Sequence, residues 1–422
     1  MLNLEKGKLL IEGKTKSVFE LIGENTSKDK FVLIENKDKI TAFDGGRSDD
    51  LEDKADISND TNAKVFGFLN KAGFRTAFMR KEGKKSYVAR KCHMIPLEWV
   101  TRRIATGSFL KRNPGVNEGY KFTPVKLETF LKDDANKDPQ WSEEQILSKE
   151  MEIGGVKITK LEYDIMANTT VAIFEVLERA WASIDCTLVD MKIEFGIDAT
   201  SREILLSDVI DSDSWRLWPS GDKRLMKDKQ VYRNLKEVTP EALNEVKRNF
   251  QWVAKKLDLF TSDSTALVVI IMGSPSDKTR CEIIQEQCHK LGLKVEMRIS
   301  SAHKETADTL NVVSEYEGMG IPVVFIAVAG RSNGLGPVIS GNTAFPVINC
   351  PPLKETEIER DIWSSLSTPS GLGCCTVIHP EAAAQHAASI LALNDHSIWA
   401  KMRVKRLNIW KDLRKADAYL RN

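Results

Sequence analysis

From residue 266 onward the chain alternates short apolar runs with stretches of helical period. LVVIIM (267–272), KVEMRI (294–299), PVVFIAVA (322–329), PVINC (346–350) and CCTVI (374–378) predict strands. Helices are expected near 277–291 and 305–317, after the third and fourth strands, and twice at the C-terminal end. Apolar strands alternating with helices predict an α/β three-layer domain with a parallel sheet covered on both faces.

The first 260 residues follow a different pattern. KLLIEG and KSVFELI predict hairpin strands, and a helix is expected at about 163–184. Two strands follow, TLVDMKIEFG and REILLSDVI, joined by the polar turn DATS. This is α+β patterning with antiparallel pairing. Thr239 and Pro240 read as N-cap and first residue of a helix carrying Leu243, Val246, Phe250, Val253 and Leu257 on one face. The polar segment TSDST at 261–265 is then a linker between domains 1–260 and 266–422. SDDLEDKADISND (48–60) is charged enough to be expected as a mobile surface loop.

Composition narrows the class. The 422 residues carry 61 basic and 60 acidic side chains, a balance that argues against nucleic-acid or membrane-surface partners. Seven cysteines without a CxxC spacing predict neither a disulfide framework nor a structural zinc. No apolar run approaches a membrane span and no leader pattern is visible, so a cytoplasmic enzyme is expected.

Candidate chemistry in the first half begins at EGKTKSVFE (12–20). Gly13, Lys14 and Lys16 there suit a phosphate, although basic hairpin turns are also common. In VDMKIEFG (189–196), strand alternation places Asp190, Lys192 and Glu194 on one face. With Asp208 on the paired strand, Glu194 could hold Mg2+; the same residues also suit cross-strand ion pairs. WVTRRIATGSFLKRNPG (99–115) offers Arg102 and Ser108 beside a Thr-Gly-Ser turn, and DSWRLWPSGD (213–222) adds Arg216.

In the second half, MGSPSD (272–277), SAHKE (301–305) and AGRSNGLGPVISGNT (329–343) each follow a strand. Loops at the C-terminal ends of parallel strands are where open α/β sheets bind ligands. Asp277 also reads as a plain N-cap, and His303 as an ordinary loop histidine. The GxGxxG dinucleotide pattern is missing from the MGSPSD turn, which disfavours NAD chemistry.

The phrases EGKTK, ATGSFLKR, DMKIEFG and DSDSWRLWP resemble, in order and spacing, the phosphoribosylaminoimidazole-succinocarboxamide synthase family. The resemblance implies an ATP cleft between a β-rich lobe and a larger α+β lobe. It places ATP phosphates on Gly13, Lys14 and Lys16, and the adenine along 91–94, between Lys91 and Met94. It places Mg2+ and nucleotide on Glu194 and Asp208. It places the imidazole ribonucleotide on Arg102, Ser108 and Arg216, with Lys192, read as catalytic, and Arg233 close by. The microbial loop after Asp44 is replaced here by GGRSDDLEDKADIS.

Residues 266–422 resemble the catalytic domain of phosphoribosylaminoimidazole carboxylase. The wording SAHK with AGRSNGLGPVISGNT is similar to the animal-type bifunctional form, which uses CO2 directly, without biotin. The resemblance assigns the nucleotide to Ser274, Asp277 and Lys304, proton transfer to His303, and CO2 to Arg331, Ser332 and Gly334. Glu305-Thr306 replaces the usual Gly-Pro after SAHK. Together these resemblances imply two consecutive steps of purine biosynthesis on one chain, small-molecule substrates and a homo-octamer. The other readings are a chain with one active domain and a non-catalytic nucleotide sensor.

Overall fold

A computed structural model describes residues 4–23, 30–261, 264–353 and 358–421. It divides into two compact units, Met1–Thr261 with Arg403–Asn422, and Ser262–Met402. Ser262 and Asp263 of the expected linker and the Asp44 side chain lie outside the described residues.

The first unit opens with β1 (Leu4–Glu12), β2 (Lys16–Gly23) and β3 (Phe31–Asn36). A hairpin, β4 (Lys39–Ala42) and β5 (Arg47–Asp50), leads into helix α1 (Lys54–Ala72). β6 (Phe78–Glu82) and β7 (Ser86–Arg90) complete an antiparallel sheet of order β1-β2-β3-β7-β6.

The segment 48–60 corrects the expected surface loop. It forms β5 and the start of α1, and Lys54, Ser58 and Asn59 are buried. Its polar side chains have partners inside: Lys54 pairs with Asp213 at 3.3 Å, and Asn59 Nδ2 donates to the carbonyls of Lys84 and Ser86. Charge density alone misled because buried polar groups are tolerated once paired.

The second sheet is built on two long strands, β8 (Cys92–Ile104) and, further on, Cys186–Asp198. Between them come α2 (Ser108–Arg112), β9 (Lys121–Leu131), α3 (Glu143–Ser148), the ribbon β10 (Glu152–Ile153) with β11 (Val156–Lys157), and α4 (Lys160–Ala182). A capping box at Thr159 and Glu162 starts α4 three residues before the expected 163. Strand Cys186–Asp198 is β12, followed by β13 (Ile204–Ser207) and β14 (Trp215–Pro219). The order is β13-β12-β8-β9, with β14 also paired to β12. Trp215 packs edge-on against Trp181 of α4 at 5.7 Å, so this tryptophan serves packing. Helices α5 (Gln230–Asn234) and α6 (Pro240–Lys256) follow, with Thr239 capping α6 and Val246, Phe250 and Val253 buried.

The second unit is a five-stranded parallel sheet. Its strands are β15 (Leu267–Met272), β16 (Lys294–Ile299), β17 (Val323–Val328), β18 (Val347–Asn349) and β19 (Cys375–Thr376), ordered β16-β15-β17-β18-β19. β15 and β17 are buried along their whole length, as their continuous apolar runs require. α7 (Lys278–Lys290) and α12 (Pro380–Leu391) cover one face, and α8 (Thr306–Glu317) and α9 (Leu335–Ser340) the other, with the short α10 (Ile358–Asp361) and α11 (Trp363–Leu366) between α9 and α12. The chain ends in α13 (His396–Arg421). Glu305 stands at the N-cap of α8, so the Glu-Thr variation coincides with the helix start.

Candidate active sites

β8 and β12 pair antiparallel, with Met94 opposite Gly196, Glu98 opposite Glu194 and Arg102 opposite Asp190. The pleat therefore gathers Met94, Gly196, Glu98, Glu194, Lys192, Arg102 and Asp190 on one face. At about 3.3 Å per residue, the six steps from Gly196 to Asp190 span about 20 Å. Both ends and the middle of that face carry the residues singled out from the sequence.

The middle is a chain of ion pairs. Glu194, 2% exposed, accepts from Lys132 at 2.8 Å and Lys192 at 2.9 Å, and Lys192 also reaches Glu98 at 2.8 Å. Burial opposes the Glu194 charge, but the two lysines outweigh it and pull the carboxyl down to about 2. Burial likewise opposes the Lys192 ammonium, and Glu194 with Glu98 outweighs it, holding the pKa above the lysine range. Lys16 pairs with Asp208. Burial pushes the Lys16 ammonium down to about 8, with the Glu194 charge opposing it. Asp208 lies one residue beyond β13 with φ 63°, whereas the sequence placed it in the strand. Its neighbour Ser207 pairs with Glu194, so the turn still carries Asp208 to the same region.

Gly13 closes the β1–β2 turn by donating its N–H to the Lys16 carbonyl at 2.8 Å, and Lys14 is exposed beside it. Met94 is 41% exposed at the other end of the polar face, and the Lys91 carbonyl accepts from Ala199 N–H at 2.9 Å. A Cβ at residue 196 would lie 2.7 Å from Cys92 Cβ and 3.2 Å from both Met94 Sδ and Ser207 Oγ, so glycine permits the close approach of β8 and β12 at this end.

At the Arg102 end, Asp190 Oδ2 accepts from Arg102 Nη1 at 2.7 Å and Arg216 Nη1 at 2.5 Å. Gly107, with φ 59°, abuts Arg216: a Cβ there would lie 2.6 Å from Nη2. Ser108, the next residue, is exposed at the start of α2. Arg233 is close enough that burial, together with the Arg216 charge, lowers its pKa. The structure thus brings Arg102, Ser108, Arg216 and Arg233 together. The sequence reading missed Glu98, Glu128 and Lys132. Glu98 alone had a local signal, since it alternates in step with Val100 and Arg102.

In the second unit the three expected loops meet at the C-terminal ends of adjacent strands. Ser300 N–H donates to the Met272 carbonyl at 3.0 Å, and Gly273 N–H to the Val328 carbonyl at 2.9 Å. The His303 ring packs onto Gly334, its Cε1 2.8 Å from where a Cβ would stand. With this strand order the crevice between β15 and β17 is the topological switch point. Ser274 and Asp277 flank it, and burial raises the Asp277 carboxyl against Arg280. Lys304, Arg331 and Ser332 are exposed around it, Arg331 with φ 59°. Asn333, unassigned from sequence, anchors the glycine loop. Its N–H donates to Ser364 Oγ at 2.9 Å, its Nδ2 to Ser365 Oγ at 3.0 Å, and its Oδ1 accepts from Gly336 N–H at 3.1 Å.

Residues 9–249 match the family described as SAICAR synthetase, and residues 267–411 the family described as AIR carboxylase. A Drosophila melanogaster protein named bifunctional phosphoribosylaminoimidazole carboxylase/phosphoribosylaminoimidazole succinocarboxamide synthetase is 58% identical over 415 residues, 98% of this chain and 96% of that protein. The chain belongs to this bifunctional family. A Homo sapiens protein of the same name is 56% identical over 419 residues, covering 99% of this chain and 98% of the relative. A crystal structure of phosphoribosylaminoimidazole-succinocarboxamide synthase from Ehrlichia chaffeensis aligns with a TM-score of 0.52 at 28% identity, over 60% of this chain and 99% of that one. The chain is therefore a bifunctional enzyme of purine biosynthesis, with a SAICAR synthetase domain followed by an AIR carboxylase domain. The non-catalytic sensor reading is not favoured. Among the described residues no helix is long and apolar enough to cross a membrane.

Proposed function

We propose that the polar face of β8 and β12 is the synthetase active site, laid out from nucleotide to ribonucleotide. The observation that carries this reading is the linear order of Met94, Glu194, Lys192 and Arg102 along paired strands. Gly13, Lys14 and Lys16 hold the phosphates of ATP, with Lys91 and Met94 against the base. Arg102, Ser108, Arg216 and Arg233 hold the carboxylated ribonucleotide.

A carboxylate is a poor electrophile. Transfer of the γ-phosphoryl group to it makes an acyl phosphate; the amine of aspartate displaces phosphate and forms the amide bond, leaving ADP and phosphate. The protein's contribution is positioning and charge neutralisation, with Lys192 at the centre of the face. Among the described residues no three carboxylate, histidine or cysteine groups form a metal cage. Two carboxylates on neighbouring segments fit Mg2+ held jointly with nucleotide phosphates, and Glu194 and Asp208 would hold it, supplying further neutralisation of phosphate charge.

For the carboxylase domain we propose the crevice between β15 and β17. Ser274, Asp277 and Lys304 hold the aminoimidazole ribonucleotide, and Arg331, Ser332 and Gly334 border the CO2 pocket. The electron-rich C4 attacks CO2, a C–C bond forms, and the C4 proton passes to His303, which returns it in the reverse direction. The contact of His303 with Gly334 supports this, since it sets the base beside the small-residue loop.

The synthetase activity belongs on this reading to the chain before the 261–265 linker and the carboxylase activity to the chain after it. We place the enzyme in the cytosol, consistent with seven free thiols. A homo-octamer built through the carboxylase domains is consistent with Trp363 and Leu366 exposed at 59% and 52%; light scattering of the intact chain checks it.

Aminoimidazole ribonucleotide with labelled bicarbonate tests the whole scheme. Fixation should need neither ATP nor aspartate, and the succinocarboxamide product should need both. With the carboxylated ribonucleotide supplied for the second step, His303→Ala should abolish only fixation and Glu194→Ala only the second step. Loss of both steps in either variant contradicts separate sites.

A further inference from the structure

Arg102 is 4% exposed, and two carboxylates grip it from different sides. Its Nε donates to Glu128 Oε2 at 2.5 Å and its Nη1 to Asp190 Oδ2 at 2.7 Å. Glu128 has a side chain only 1% exposed, and its other oxygen accepts from Arg112 Nη2 at 2.9 Å. Asp190 passes the chain on to Arg216 at 2.5 Å. The series Arg112, Glu128, Arg102, Asp190, Arg216 alternates in sign, with three cations against two anions.

We infer that Glu128 is a positioning residue for the synthetase substrate's phosphate, acting through Arg102. This rests on the reading that Arg102, Ser108 and Arg216 hold the carboxylated ribonucleotide, and takes its phosphate as the anion that these arginines meet. A guanidinium has five N–H donors in a rigid plane. Bonds at Nε and Nη1 fix that plane and leave the Nη2 donors of Arg102 for a ligand. Asp190 alone could not do this, because a single contact leaves the plane free to rotate about it, and Asp190 is shared with Arg216. Glu128 supplies the second point.

The placement of Glu128 follows from the sheet. β9 pairs with β8 so that Val100 lies opposite Glu128 and Arg102 opposite Lys126. Glu128 thus stands one diagonal step from Arg102 on the side away from β12. Phe109, the residue after Ser108, lies 6.0 Å from the Arg102 guanidinium, so the gripped arginine abuts the α2 turn. The surplus positive charge of the series is left for an anion. Stability alone is a weak reason for burying such a series, since desolvation of ion pairs offsets much of their attraction. Orientation of a phosphate-binding fork is a reason that geometry supplies.

The test uses the intact bifunctional chain and compares the carboxylated ribonucleotide with the same nucleoside lacking its 5′-phosphate. Glu128→Gln keeps shape but cannot accept from both arginines. It should raise KM for the ribonucleotide about tenfold or more, with KM for ATP and aspartate within about twofold. The preference for the phosphorylated over the unphosphorylated substrate in kcat/KM should collapse, while kcat/KM for the nucleoside stays near that of the native enzyme. Arg102→Ala serves as reference. If Arg102→Ala loses the preference and Glu128→Gln retains it, Glu128 is structural and the inference fails while the phosphate site stands. If Arg102→Ala itself retains the preference, the phosphate site and the inference fail together. Should Glu128→Gln unfold the synthetase unit, Glu128→Asp keeps the charge with a shorter reach. The same selective collapse is expected of it, and an equal loss on both substrates overturns the proposal.

Discussion

The imidazole of His303 lies against the α-carbon of Gly334, in space that a side chain at 334 would need. The two residues are on different strand-end loops, so their contact joins the proposed proton-transfer group to the proposed CO2 pocket. Gly334→Ala should displace His303 and reduce CO2 fixation about 100-fold or more. Synthetase turnover with supplied carboxylated ribonucleotide should be unchanged. Labelled-bicarbonate incorporation, measured beside that second assay, checks both halves; undiminished fixation removes His303's position from the mechanism.

Gly107 has φ 59° and ψ −132°, a region that residues with a side chain avoid. A Cβ there would also lie 2.6 Å from Arg216 Nη2. Gly107→Ala should therefore destabilise the synthetase unit by about 1–3 kcal/mol. It should also raise KM for the ribonucleotide more than KM for ATP. Denaturant titration and initial-rate kinetics read the two effects separately.

Glu194 titrates at about 2 in the folded protein against an ordinary 4.5. Its folded pKa is depressed, so its contribution is complete above about pH 4.5 and disappears as pH falls towards 2. The shift corresponds to about 3 kcal/mol. Stability of the native chain should fall over this window more steeply than that of Glu194→Gln, which cannot titrate there. The neutral variant should be the less stable of the two at pH 7, because Lys192 and Lys132 lose their shared counter-ion. Parallel pH–denaturation curves for both proteins decide it, and identical slopes between pH 4.5 and 2 would falsify the buried-pair account.

Asn333 is 2% exposed and makes three hydrogen bonds, two that hold the glycine loop to α11 and one within the loop, to Gly336 N–H. The bond from its backbone N–H survives side-chain truncation, but Gly336 N–H and Ser365 Oγ lose their partners. Asn333→Ala should destabilise the carboxylase unit by about 2 kcal/mol. CO2 fixation should fall while the histidine itself is untouched, and hydrogen exchange should rise across 330–336. Exchange confined to other segments would show that the loop is held by something else.

Much of this protein was determined locally. β15 occupies the segment expected from its apolar run, 267–272, because a strand buried in a covered parallel sheet needs apolar residues at nearly every position; β16 also lies where expected, 294–299, as an exposed to half-buried edge strand. Thr239 caps α6 as expected, since capping depends on three or four adjacent residues. Strand alternation placed Asp190, Lys192 and Glu194 on one face for the same reason. What the face meets was not local. Glu128 reaches Arg102 across 26 residues, Lys132 reaches Glu194 across 62, and Asp190 reaches Arg102 across 88. Helix α1 hides Lys54 and Asn59, which sequence reading left in solvent, because Asp213 and the carbonyls of Lys84 and Ser86 wait for them. Asp208 leaves its strand for a left-handed turn and still meets Lys16. The period of a strand or helix is written in neighbouring residues, whereas a buried charge is tolerated only by partners that chain folding delivers from far away, and only the tertiary structure decides which partners those are.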